Sequence, residues 1–163
     1  MSVLLALLLF LHVISAIVAF GPSFAFPLFG RLSRSHPQHA GFAMELAAVI
    51  ERRIIIPVGL SMPVTGVAMI IVAGINPLTP WLAIAIVIYT AAILFAIFVQ
   101  LPTVTAMGTA LRELAGGGPP PAGAPAAPPP HIAALSERVN RGGMFLSLAV
   151  VAIVFLMVTK LSF

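Results

Sequence analysis

The chain has 163 residues, 61% of them hydrophobic and 7% charged, with a mean hydropathy of +1.17, whereas soluble domains are about half apolar and a quarter charged. That balance excludes an ordinary soluble globule. The acids are Glu45, Glu51, Glu113 and Glu137, with no Asp or Cys; this leaves little for paired-carboxylate catalysis or a hard-cation cage, and nothing for disulfides, thiolate chemistry or Cys-bound metal.

Four uncharged stretches are long enough to cross hydrocarbon, which takes about 20 apolar residues. The first runs over about 2–29, broken only by His12 and Gly21-Pro22 and ending before Arg31. Pro22 and Pro27 are expected to kink it. Between it and the second stretch, 54–74, Phe42, Leu46 and Ile50 recur at helical spacing, so the second helix is expected to begin before the membrane or to lie along its surface. Pro57 and Pro63 are expected to kink that second span. The third stretch covers about 80–102, extending toward Leu111, and the fourth covers 144–160. Between these two, Ala115 to Pro130 is nearly all Gly, Pro and Ala, which reads as a flexible linker. Past it, Ile132, Leu135 and Val139 form an apolar stripe beside the i,i+4 pair Glu137 and Arg141, predicting a short helix that ends in a break at Gly142-Gly143. Backbone in hydrocarbon must satisfy its own hydrogen bonds, so the four stretches are helices.

Lys and Arg are retained on the cytoplasmic side of short loops. Seven cations, Arg31, Arg34, Arg52, Arg53, Arg112, Arg138 and Arg141, fall between spans one and two or three and four, and only Lys160 falls on the other side. The bias predicts both termini outside, the turn 75–79 outside, and Trp81 at the outer interface. The uncharged start, Met1-Ser2-Val3-Leu4, lacks the basic region of a signal peptide, so the first span is expected to be retained. The high pI, 11.3, thus reads as membrane topology, and no nucleic-acid partner is expected.

His12 is the one ionisable side chain deep in a span, roughly 16 Å below the outer surface at 1.5 Å per residue, and such residues are costly enough to be functional candidates by default. Met62, beside Ser61, comes at about the same depth on span two, and Tyr89 on span three is slightly shallower. A shared polar layer of His12, Met62 and Tyr89 is therefore one expectation. Ser15, Ala19 and Ser23 form a small-residue ridge next to His12, which should turn it into the bundle. Three roles are open to the imidazole: packing through a hydrogen bond to Ser61, Tyr89 or a carbonyl; ligation of haem or copper; or carrying a proton or substrate. His36 and His39, in a basic interfacial loop, read as solvated. P-loop, GxSxG, HExxH and GxGxxG signatures do not occur, which removes the common soluble chemistries.

Leu11-His12-Val13 followed by Arg31, then Glu51-Arg52-Arg53 with Pro57 and Pro63-Val64-Thr65-Gly66, and the closing Met157-Val158-Thr159-Lys160 resemble a family of predicted bacterial integral membrane proteins of unknown function. That family is in turn distantly similar to the copper-resistance D membrane proteins and to the membrane protoporphyrinogen oxidase that holds haem through a first-helix histidine; the resemblance implies such a role for His12 alone. The sequence as a whole predicts a single domain over 1–163, an all-α four-helix bundle, N-out and C-out, in the bacterial inner membrane. Its expected contacts are the lipid bilayer and a membrane-protein partner or second copy. The expected role is non-enzymatic, structural or partner-binding, with His12 packed inside. The alternative is a haem- or copper-handling protein or oxidase with His12 as ligand and Met62 and Tyr89 beside it.

Overall fold

The computed structural model describes residues 2–25, 28, 36, 39–116 and 129–160. Among these residues it is all helical, and four helices are long and apolar enough to cross a membrane. Helix α1 is Val3–Phe20, capped by Ser2, whose Oγ accepts from the Leu5 N–H at 3.2 Å. It stops at Gly21-Pro22, where the chain tightens into a 3-10 turn over Gly21–Phe24. The first helix is therefore shorter than the predicted stretch; Pro27 lies outside the described residues.

Helix α2 is Ala40–Ala73, 34 residues and about 51 Å long at 1.5 Å per residue. Its crossing segment is preceded by helix, so the expectation that it begins before the membrane holds. Gly74 ends it in the left-handed region at φ 64, a conformation that costs glycine nothing. A tight turn follows, in which Asn76 Oδ1 accepts from the Leu78 N–H at 3.0 Å, and Pro80 opens α3. This helix runs through Pro80–Phe95, Ala96–Gln100 and Leu101–Gly116, past the predicted end of the span and into the stretch read as linker. Helix α4, Pro130–Thr159, takes up the linker's last residue; residues 117–128 lie outside the description.

The expected break at Gly142-Gly143 does not occur. α4 passes through both glycines, which are buried. A glycine weakens a helix by about 1 kcal/mol without breaking it, and packing holds this one: a Cβ at Gly142 would lie 1.9 Å from Gln100 Oε1. Gly142 lets α3 and α4 approach.

Two turns depart from the α pattern. Glu51–Ile55 in α2 and Ala96–Gln100 in α3 are π-helical, and each starts six residues before a proline, Pro57 and Pro102. A helical proline lacks an N–H and its ring clashes with the carbonyl four residues back. Widening the preceding turn removes that clash, and the extra residue rotates the helix face beyond it. The buried polar side chains, Glu51 and Gln100, lie in these two turns.

The wide turns divide the bundle into two levels. Toward the 75–79 turn, α1 packs along α2 and α4 along α3, with Ala92, Ala96, Leu146 and Ala149 forming an apolar core and Phe95 meeting Phe145 edge-on at 4.8 Å. At the other end, α2, α3 and α4 pack through Met44, Met107 and Ile132 and through Ala47, Ile55 and Val104. Arg52, Arg53, Arg112, Arg138 and Arg141 all belong to this second, basic level.

Candidate functional site

His12 reaches α2 as its ridge predicts. Ala19 is fully buried, drawing that face of α1 onto α2; the Ser23 side chain lies outside the described residues. The imidazole's partner is Thr65, with Nδ1 2.8 Å from Oγ1, and its Cε1 sits over Gly66. Neither Ser61 nor Tyr89 takes the expected role. Ser61 is exposed and donates to the Val58 carbonyl at 2.7 Å. Thr65, one turn further along, also lies beside Pro63 and faces α1.

Thr65 has one hydroxyl hydrogen, and its Oγ1 donates to the Met62 carbonyl at 3.0 Å. With that hydrogen directed to the Met62 carbonyl, the tautomer of a neutral His12 that fits the contact carries its hydrogen on Nδ1.

Tyr89 serves a different turn of α2. Its hydroxyl donates to the Gly59 carbonyl, the group four residues before Pro63 and the one that proline deprives of a helical donor. The tyrosine thus closes a gap in the α2 ladder from α3. Gly59 and Thr65 are six residues apart, about 9 Å along the axis, so His12 and Tyr89 are anchored at separate levels. Met62 is buried between them. The shared layer of three candidates does not form, because Pro63 supplies Tyr89 with an acceptor below it.

The feature that sequence reading missed lies beneath Tyr89. Glu51 is 1% exposed, and its Oε2 has no hydrogen-bond partner. It lines a small cavity of about 30 Å³ with Phe20 of α1, Gly59 of α2, Tyr89, Ala92 and Ala96 of α3, and Leu146 and Val150 of α4. A water needs about 10–15 Å³ by this measure, so there is room for one beside the carboxyl. Arg52 and Arg53, its neighbours, are exposed, and the adjacent charges in the sequence disguised an inward-facing acid. The signal that finds it is its register, since Glu51 continues the buried stripe of Ala40, Met44 and Ala47 at i+4.

Gln100 is likewise 1% exposed and donates through Nε2 to the Val139 carbonyl at 3.2 Å. His36, His39 and His131 are exposed. Among the described residues, no three His, Cys, Asp or Glu side chains come together as a metal would require.

A family model described as a predicted integral membrane protein (DUF2269), a domain of unknown function, matches residues 6–161. The chain belongs to that family. No curated protein and no solved structure matches it, and the similarity to copper-resistance D or protoporphyrinogen oxidase proteins is without support in these comparisons.

Proposed function

We propose that the protein is a non-enzymatic, structural or partner-binding bundle of the bacterial inner membrane, N-out and C-out, in which His12 is an interhelical tie. The observation that carries this reading is the His12–Thr65–Met62 chain of hydrogen bonds. Ala19 is the buried residue of α1, so a directional bond is what sets its rotation and depth against α2. Tyr89 makes the corresponding tie between α2 and α3. The orientation is supported by the gathering of the described arginines at one end of the bundle.

The test compares His12→Gln with His12→Leu by thermal melting and absorbance. Glutamine keeps a donor for Thr65 and should melt close to the parent. Leucine leaves Thr65 without its donor and should cost about 1 kcal/mol, typical of intramembrane hydrogen bonds. Equal losses from both, in a colourless metal-free parent, would refute the packing role.

One observation favours a second reading. In the tautomer with its hydrogen on Nδ1 toward Thr65, the Nε2 lone pair of His12 would be the one to hold a haem. Copper fits less well, because Tyr89 is engaged with the Gly59 carbonyl and, among the described residues, no three His, Cys, Asp or Glu side chains gather. In that case purified membranes show a Soret band, and both substitutions abolish it alike.

A further inference from the structure

The basic level contains a groove of about 260 Å³ between α2 and α3, lined by Arg52, Arg53 and Arg112 together with Glu45, Met44, Val49 and Val104 among others. We propose that this groove binds the phosphate headgroup of an anionic lipid. Three guanidinium groups and one carboxylate line it, and among the described residues the ion pair there is that of Arg112 with Glu45 at 2.6 Å. That ion pair joins α2 to α3 across the groove and occupies one of the five N–H donors of Arg112.

Depth selects the lipid. Counting back 20 residues from Ala73, the length needed to cross hydrocarbon, reaches Ile54. Arg52 and Arg53 are the next residues out, at the level where phosphates lie. They stand in the π turn, and both are exposed. Met44 and Val49 precede the arginines on α2, so the groove lies at and outside the phosphate level, where it meets a headgroup while the acyl chains stay in the bilayer beyond Ile54. Planar guanidinium forks match phosphate oxygens, and basic recesses between membrane helices are the usual seats of anionic headgroups.

The experiment uses the full chain purified in neutral detergent and titrated with phosphatidylglycerol, phosphatidylcholine or inorganic phosphate, with bound lipid counted by native mass spectrometry and stability followed by melting. Phosphatidylglycerol should be retained one per chain and raise the melting temperature, while phosphatidylcholine and inorganic phosphate should do neither. Arg52→Gln and Arg53→Gln should each weaken retention about fivefold, the effect of one cation near an anionic surface, and Arg138→Gln, on α4 and outside the groove, should leave it unchanged. Equal retention of phosphatidylcholine would overturn the proposal, as would an Arg138→Gln loss matching that of Arg52→Gln, which indicates diffuse attraction. Protection by inorganic phosphate equal to that by lipid would also overturn it, assigning the groove to a free anion. The lipid comparison on the unmodified chain decides even where a variant fails to fold.

Discussion

Replacing Gly142 with alanine tests the packing between α3 and α4. In a helix with open space around it the change would stabilise by about 1 kcal/mol, since alanine is the better helix former. Here the new Cβ would lie 1.9 Å from Gln100 Oε1, 3.0 Å from Gln100 Cδ and 3.3 Å from Phe95 Cε1, whereas ordinary contact begins at 3.4 Å. Gln100 must move. Its side chain is 1% exposed, so leaving its place breaks the bond to the Val139 carbonyl and strands a buried amide, at about 1–3 kcal/mol. Overpacking adds about 1–3 kcal/mol. Against the propensity gain, the net expectation is a loss of roughly 1–5 kcal/mol, read from unfolding in detergent. Gly142→Ala combined with Gln100→Ser removes the clash and should recover most of the loss, so the two changes should couple strongly in a double-mutant cycle. A single Gly142→Ala variant as stable as the parent, or more so, would show that Gln100 is not held in this position and that the glycine serves no close approach.

Tyr89→Phe should cost about 0.6–1.7 kcal/mol by removing the donor to Gly59; in a Pro63→Ala background, where residue 63 regains its N–H, thermal melting should show that cost nearly gone. Glu51→Gln should keep stability within about 1 kcal/mol, because a neutral amide fills the same space; a loss of about 3–5 kcal/mol, the cost of breaking a buried ion pair, would reveal a cation holding the carboxylate. Cysteines introduced singly at positions 76 and 118 of this cysteine-free chain should differ toward an impermeant reagent added outside, with 76 labelled and 118 protected; the reverse pattern would invert the orientation. Deleting residues 117–126 should leave the amount of folded protein nearly unchanged, since the cost of closing a loop varies slowly with its length, and a severe fall in detergent-stable protein would contradict the linker reading.

The number and order of the helices were legible because hydrocarbon demands long uncharged runs, and these stand out against Arg31, Arg52, Arg112 and Arg141 without reference to packing. The inward turn of His12 was legible for a similar reason, since an ionisable group in lipid is costly and the small ridge beside it marks a helix contact. Its partner was not. Choosing Thr65 over Ser61 depends on the rotation of α2, and two prolines, Pro57 and Pro63, alter that rotation in ways a count of residues per turn does not carry. The Gly142-Gly143 pair misled because intrinsic propensity and close packing assign opposite meanings to glycine, and only the position of Gln100 on another helix decides between them.

Proline connects most of what is unusual in this fold. At Pro57 and Pro102 its ring is accommodated by widening the turn before it, and each widened turn holds a buried polar side chain, Glu51 or Gln100. At Pro63 no π turn is described in the helix around it, and the freed Gly59 carbonyl is satisfied instead by Tyr89 from the neighbouring helix. The difference follows from position. Pro63 lies within the crossing segment, where an unsatisfied carbonyl has no water to turn to and a hydroxyl from α3 supplies the donor. Pro57 and Pro102 stand at the boundary between the two levels, where a helix that packed one neighbour in the membrane must present a new face to others at the basic end. A π turn supplies that rotation within an unbroken helix, and in α2 it holds Arg52 and Arg53 beside the groove while Glu51 stays on the buried stripe of Met44 and Ala47. Three consecutive charged residues thereby occupy two environments, Glu51 buried and Arg52 and Arg53 exposed.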